Sequence, residues 1–400
     1  MPARRSARST GSGGPAPASS TRSGDAATRG CRGFAEGEGS RVGLPLLILE
    51  GSDVAGTVRT AVVGASGYIG VETLRLLHRH PGVTLIAITS ERYAEKAVGE
   101  AFPALAGLFP GLVFRKLDPA ALAEVELVFL ALPHKESMEV VPDLRKAGKR
   151  VVDLSADYRL HDWRAYEEWY GVPHTSKELL AEAVYGLPEL HRDAIMTAGL
   201  VAVPGCYPTG AILALAPLLA HRLIDEQGII VDAKTGISGA GRKPDLPYPF
   251  PEANEGVTPY GVPRHRHLPE MEQELSALAG IPLAVSFVPH LTPMTRGILT
   301  TAYAPLHGPA EQAALLDLYR EYYRGAPFVR VSAALPSTRN VLASNYCDVS
   351  VRVDPRTRRV IALSAIDNLV KGGAGQGVQD MNLMCGSEET LGLEGAPVFP

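Results

Sequence analysis

Of the four cysteines in the 400-residue chain, one sits where a thiol can react. Cys206 lies in "VAVPGCYPTGAILALAPLL" (201–219), after an apolar strand-like run and a Pro204-Gly205 pair, where a helical pattern begins. A thiol at a helix N-terminus meets free backbone N–H groups and the positive end of the helix dipole, and both lower its pKa. The same N–H groups could hold an oxyanion formed at an attacked carbonyl. A buried free cysteine is usually a small core residue, and Cys347 and Cys385 read that way. The corner at 204–206 instead predicts a thiolate nucleophile.

A thiolate nucleophile needs a proton partner. Eleven histidines are available. His78, His80, His161, His191 and His221 stand beside charged residues and read as solvated surface. The segment "GVPRHRHLPEMEQEL" differs: His265 and His267 flank Arg266 just before a helix whose first turn carries Glu270 and Glu272. If the segment is extended, alternation puts both imidazoles on one side. One could then act as acid and base while the other meets an anion. A polar loop before a capped helix explains the same residues equally well. Two further loops, "KTGISGAGRK" with Ser238, Gly239 and Arg242 and "HLTPMTRG" with His290, Thr295 and Arg296, combine donors and positive charge suited to carboxylate or phosphate. Surface loops carry arginines for solubility as well.

"VVGASGYIG" places Gly64, Gly67 and Gly70 where a first strand turns into a helix. The spacing is GxxGxxG, but the physical need is that of any dinucleotide turn: a tight bend, backbone free of Cβ near a pyrophosphate, and a helix N-terminus aimed at negative charge. The next strand ends "AITSERY". NAD enzymes usually carry an acid there for the ribose hydroxyls. Ser90 and Arg92 suit a 2′-phosphate better and favour NADP, with Glu91 as the contrary feature.

These groups need elements to hold them. From Val58 the chain alternates short apolar strands ("VRTAVV", "GVTLIAITS", "VELVFLALP", "RVVDLSADY") with helical patterns, the signature of a parallel sheet covered on both faces. After the cysteine corner and a helix over about 207–222, the segments "PLAVSFVPHL", "GILTTAYAPL", "CDVSVRVD" and "VIALSAID" alternate apolar and polar residues as half-buried antiparallel strands do. The predicted fold is α/β: a Rossmann-like nucleotide-binding domain over 58–204 and an α+β domain over 205–365 with a mostly antiparallel sheet. The remainder, 366–400, contains a glycine-rich turn and a closing helix.

Composition excludes several function classes. Net charge is −4, with no basic cluster, which gives no support for nucleic-acid binding. No run of about 18 uncharged apolar residues suggests a membrane span. The cysteines form no CxxC pair, which argues against a disulfide framework or a structural metal site and suits a reducing cytoplasm. Residues 1–57 are rich in Arg, Ser, Gly, Ala and Pro and are expected to be disordered. Their Arg- and Ser-rich start resembles a transit peptide, but acids from Asp25 onward favour translation that begins near Val58.

The motifs "VGASGYIGVETLRLL", "FLALPHKESMEVVPDL", "VVDLSADYRL", "YGLPEL", "PGCYPTGAILALAPLL", "SGAGRK", "HRHLPEMEQEL", "FVPHLTPMTRGILTT", "SNYCDVSV" and "AIDNLVKGGAGQGVQDMNLM" follow one another in an order that resembles the N-acetyl-gamma-glutamyl-phosphate reductase family of the type 1 sort, over about 58–393. The resemblance implies NADPH-dependent reduction of an acyl phosphate to a semialdehyde in arginine biosynthesis, without a metal. It implies Cys206 as nucleophile and His265 as acid and base, with His267 as second choice or substrate contact. Ser238, Gly239, Arg242 and Arg296 become expected substrate contacts. Gly64, Ser66, Gly67, Tyr68, Ile69 and Gly70, with Asn368 near the nicotinamide, become expected cofactor contacts. The closing helix is expected to pack back on the nucleotide domain, and the second domain to form the contact of a homo-oligomer, dimer or tetramer. An aspartate-semialdehyde dehydrogenase, a carrier-linked lysine-pathway reductase and a non-catalytic NADP-binding regulator are the alternatives.

Overall fold

The computed structural model describes residues 56–242 and 248–399. The expectations for residues 1–57 therefore fall outside the described residues, apart from Gly56 and Thr57.

The first seven strands are β1 (Val58–Val63), β2 (Val83–Thr89), β3 (Phe114–Arg115), β4 (Leu127–Leu130), β5 (Arg150–Asp153), β6 (Val184–Tyr185) and β7 (Leu200–Ala202). They form one sheet in the order β3-β2-β1-β4-β5-β7-β6. Every pairing in it is parallel. All strands thus end on the same edge, and the order reverses between β1 and β4, where such sheets open a ligand crevice. Side chains leave the strands alternately. Val62, Phe129 and Val152 join a core on one face with Leu74 and Leu77 of the Tyr68–Leu77 helix. Ala61, Val63, Val128, Leu130 and Val151 join a second core on the other face with Met138, Val141 and Leu144 of the Ser137–Lys146 helix. Burial on both faces is what the uninterrupted apolar runs require.

The other seven strands are β8 (Ile229–Gly236), β9 (Thr258–Pro259), β10 (Val285–Thr292), β11 (Ile298–Pro305), β12 (Val329–Val331), β13 (Cys347–Asp354) and β14 (Arg359–Ile366). Their order is β12-β13-β14-β11-β8-β10-β9. The sheet is mixed: β8 with β10 and β12 with β13 pair in parallel, and the other pairings are antiparallel. Ile229, Val231, Ala233, Val285, Phe287, Ile298 and Ala302 point inward against the Cys206–Ala220 helix. That helix is buried on nearly every side, which explains its lack of a polar face. The helix Gly375–Met384 returns to the first sheet, where Val378, Met381 and Met384 complete the core around Val62 and Phe129.

Two readings fail here. His80 is not solvated surface; it is buried, and its Nε2 lies 2.8 Å from Asn382 Oδ1. The closing helix came down on this ring, and the charged neighbours of His80 in sequence gave no hint of it. The HRH segment is also not extended. The Leu268 N–H donates to His265 O, a tight turn into the Leu268–Ala279 helix. The two imidazoles still end close, with ring centroids 5.0 Å apart.

Candidate active site

The carboxyl edge of the parallel sheet carries the glycine turn after β1, Thr89 and Ser90 at the end of β2, His134 beyond β4, and Cys206 four residues after β7 ends. The corner between β7 and Cys206 is built by a buried network. Glu270 Oε1 accepts from the Gly205 N–H at 2.6 Å and from the Tyr185 hydroxyl at 2.8 Å. Arg159 donates to Val203 O at 2.7 Å and to Leu154 O, and its Nη1 lies 3.5 Å from Glu270 Oε2. A buried carboxylate that aligns a backbone N–H is costly unless a cation compensates it, and Arg159 does so. Sequence reasoning took Glu270 for a helix-start residue and passed over Arg159. The signal lay in its position inside "LSADYRL", directly after a strand end.

Cys206 is the first residue of its helix, with Gly205 as the cap at φ −64° and ψ 148°. Burial pushes its thiol up to about 11, while the Arg159 charge and the Tyr207 and Cys206 N–H groups pull it down. The expected lowering by the helix start is therefore outweighed by desolvation. Cys206 is held as a thiol, so the nucleophile must be made by proton transfer.

His267 is the imidazole nearest this corner: a Cβ on Gly205 would stand 2.7 Å from its Nε2. Burial, with the His265, Arg159 and Arg266 charges, holds His267 well below its ordinary pKa, so the ring is neutral and takes a proton only where a thiolate forming beside it compensates the imidazolium. Its Nδ1 is buried without a hydrogen-bond partner. His265 lies one layer out, edge-on to Tyr207, Tyr260 and Phe287 at 5.6, 5.4 and 5.4 Å, and its Nδ1 accepts from the His267 N–H. Burial and Arg266 hold it down at about 4. A Cβ on Gly372 would meet Cys206 Cβ at 2.8 Å, so the glycine turn before the closing helix forms a wall of the site.

The other expected residues divide. Ser238 Oγ accepts from Asn368 Nδ2 at 3.0 Å, and Asn368 Oδ1 accepts from the Gly297 N–H, so Ser238, Gly239 and Asn368 form one cluster. Arg296 is engaged by protein carboxylates, with Nη2 2.9 Å from Glu72 and Nε 3.1 Å from Asp367. It ties the Tyr68–Leu77 helix to the end of β14. Arg242 lies at the nucleotide turn, donating to Ser66 O at 3.4 Å and facing the rings of Tyr93 and Phe102. His290 is on the outer face of the mixed sheet, 3.1 Å from Asp232.

The glycine turn fits a dinucleotide. Gly64 has φ +77°, and a Cβ there would meet Ala131 O at 2.6 Å. A Cβ on Gly70 would meet Gly64 O at 2.6 Å. At Gly67, the helix cap, a Cβ would come no closer than 3.9 Å to any neighbour, so packing within the chain does not demand glycine there. The open space leaves room for a phosphate at the helix start. Thr89 Oγ1 accepts from the Gly64 N–H, and the Ser90 hydroxyl donates to Ser66 at 2.8 Å, which fixes the turn against β2. Arg92 faces the ring of Tyr93. Tyr68 is exposed at the helix start, and Ile69 packs under Gly373.

Residues 59–198 match the family described as semialdehyde dehydrogenase, NAD binding domain, and residues 206–368 match semialdehyde dehydrogenase, dimerisation domain. Among solved structures, aspartate semialdehyde dehydrogenase II of Vibrio cholerae, complexed with ASA, superposes with a TM-score of 0.62 at 17% identity, over 82% of this chain and 98% of that one. The Candida albicans aspartate semialdehyde dehydrogenase with NADP gives 0.58 at 17%, with the same coverage. A parallel nucleotide-binding sheet joined through a cysteine corner to a mixed sheet is thus the semialdehyde dehydrogenase architecture, that of oxidoreductases with a nicotinamide cofactor. Curated relatives narrow the assignment. The N-acetyl-gamma-glutamyl-phosphate reductases of Geobacter sp. (strain M21) and Symbiobacterium thermophilum are 56% and 51% identical, each over 86% of this chain and its own full length. The chain belongs to the N-acetyl-gamma-glutamyl-phosphate reductase family. Among the described residues no helix is long and apolar enough to cross a membrane.

Proposed function

We propose that the protein reduces N-acetyl-L-glutamyl 5-phosphate with NADPH to N-acetyl-L-glutamate 5-semialdehyde and phosphate, the arginine-pathway reaction, through a thioester on Cys206. The observation that carries this reading is the Cys206 thiol at a helix start with a neutral His267 imidazole against the preceding glycine.

The Cys206 proton passes to His267, and the sulfur attacks the acyl carbon. The Cys206 and Tyr207 N–H groups stabilise the oxygen that gains charge. The C–O bond to phosphate breaks, its electron pair leaves with the phosphate, and a thioester remains. The nicotinamide, when bound, supplies the hydride for the thioester carbon. When the aldehyde departs, the sulfur takes its proton back from His267. This gives His267 the acid and base role that the sequence assigned first to His265. The ring contact with Gly205 supports the exchange, and His265 then orients the segment through its bond to the His267 N–H. The Ser238 hydroxyl accepts from Asn368 and keeps its own proton to donate to the substrate carboxylate. NADP is favoured over NAD because Ser90, Arg92 and Arg242 gather around Tyr93 and Ser66, a site with hydroxyls and two guanidinium groups for a 2′-phosphate.

A homo-oligomer is part of the same reading. The outer face of the mixed sheet carries Ile230, 38% exposed, and half-buried Val288, Leu299, Tyr303 and Ile361. These apolar side chains, set around the polar Asp232, Lys234 and His290 group, suit an interface with a second copy of the chain.

The deciding experiment runs the reaction in reverse. Purified protein is given N-acetylglutamate semialdehyde, phosphate and NADP, with aspartate semialdehyde in a parallel assay. Phosphate-dependent reduction of NADP with the acetylated aldehyde alone is the expected result. Turnover only of aspartate semialdehyde would move the enzyme to another pathway. No turnover of either, in folded protein that binds NADP, would favour a carrier-linked substrate or a regulator.

A further inference from the structure

An acyl phosphate brings a doubly charged group to Cys206, and a cation must face it. Four arginines near the crevice are already engaged. Arg159 is bound by Val203, Leu154 and Glu270. Arg264 pairs with Glu168 at 2.8 Å. Arg296 lies between Glu72 and Asp367. Arg242 lies at the nucleotide turn. Arg266 is different. Its Nη1 donates to the ring of His134, and its guanidinium faces Tyr170 at 5.8 Å. Among the described residues no carboxylate lies within ion-pairing distance of it.

We propose that Arg266 and His134 form the binding site for the phosphoryl group of the substrate and, after bond cleavage, for inorganic phosphate. The inference rests on the proposed reaction and adds residues that hold its leaving group. Three observations support it. Arg266 stands between the two histidines of the corner, and its charge is felt at both rings. His134 lies on the carboxyl edge just beyond β4, so the pair spans the crevice from the parallel sheet to the segment that bears His267. The turn that presents His134 is held against its own preference. Lys135 is a non-glycine residue at φ +83°, and its N–H donates to both oxygens of Asp157 at 2.8 and 3.0 Å, while the Met138 N–H donates to the same carboxylate at 3.1 Å. Backbone kept in this region by a dedicated carboxylate marks a position whose geometry is used. The guanidinium has N–H groups to spare in a planar fork that matches phosphate oxygens. As the acyl C–O bond breaks, the electron pair moves onto the phosphate, and Arg266 faces the growing charge.

The test uses the full chain and the reverse reaction. For Arg266→Met the KM for inorganic phosphate should rise about 20-fold, the value of one charge-assisted contact. The KM values for semialdehyde and NADP should change by less than about threefold. Arg266→Lys should recover part of the phosphate affinity. In a second readout, inorganic phosphate alone should slow alkylation of Cys206 by iodoacetamide in the unsubstituted protein and not in Arg266→Met. An unchanged KM for phosphate, a rise mainly in the KM for NADP, or protection that survives the substitution would each overturn the proposal. If the unsubstituted protein turns over no acetylated semialdehyde, the reaction assigned above fails, and the protection assay still decides whether Arg266 holds phosphate.

Discussion

His267 rests on Gly205 so closely that a methyl group there would lie 2.7 Å from Nε2. Glycine at this position thus serves the imidazole rather than the turn, since its φ of −64° suits any residue. Gly205→Ala must displace the ring from its place at the corner. We expect kcat to fall about 100-fold, the usual cost of misplacing a catalytic group by an ångström, with nucleotide affinity unchanged. Near-normal kcat in folded Gly205→Ala would remove His267 from proton transfer and return that role to His265.

Desolvation sets the state of the nucleophile. With the Cys206 thiol pushed up to about 11, the thiolate fraction in the unliganded protein grows about tenfold per pH unit below that value. Iodoacetamide should therefore alkylate Cys206 faster at each step from about pH 7 to pH 10, without a plateau. A plateau below about pH 8 would mean that the helix start and Arg159 outweigh burial and hold a preformed thiolate.

Much of this was legible in the sequence because it depends on local chemistry. The apolar runs before Gly64 and Pro204 became parallel strands, and their common edge brought the glycine turn and Cys206 together. The alternation in "PLAVSFVPHL" and "GILTTAYAPL" gave strands but not their directions, since periodicity is the same in parallel and antiparallel pairs. The two-residue strands Phe114–Arg115 and Val184–Tyr185 are too short to show any period. What escaped were roles set by distant partners. Glu270 reads as a helix-start acid until the fold delivers Gly205 and Tyr185 to it. Arg296 reads as an anion binder until Glu72 and Asp367 arrive. The order of His265 and His267 was undecidable because it depends on a tight turn, not on residue type.

The glycine wall against Cys206 has its own support. Lys371 is fully buried, and its Nζ lies 2.7 Å from Glu189 Oε1 and 2.8 Å from Gln379 Oε1. The next residue, Gly372, packs on Cys206. Lys371→Met would strand the Glu189 charge in the core and should cost about 3–5 kcal/mol of stability. Lys371→Met combined with Glu189→Leu should regain most of that loss, because both charges are removed together. Thermal unfolding of the two variants reads this directly. Equal stability of the single and double variants would show that the ion pair is not what the turn depends on.

Nucleotide choice supplies a last prediction, and it separates two arginines that the sequence assigned to different ligands. Arg92 follows β2, whereas Arg242 comes from the loop after β8, yet both face the ring of Tyr93. If both meet the 2′-phosphate, Arg92→Ala and Arg242→Ala should each weaken NADPH about tenfold or more and leave NADH nearly untouched, because only NADPH carries the added charge. The two losses should be less than additive, since the groups share one ligand. Titration of each reduced nucleotide by fluorescence reads all four affinities. Equal losses for NADPH and NADH would point to the pyrophosphate or the adenine as the shared target. A loss of substrate affinity alone for Arg242→Ala would return that residue to the substrate side, where its sequence motif first put it.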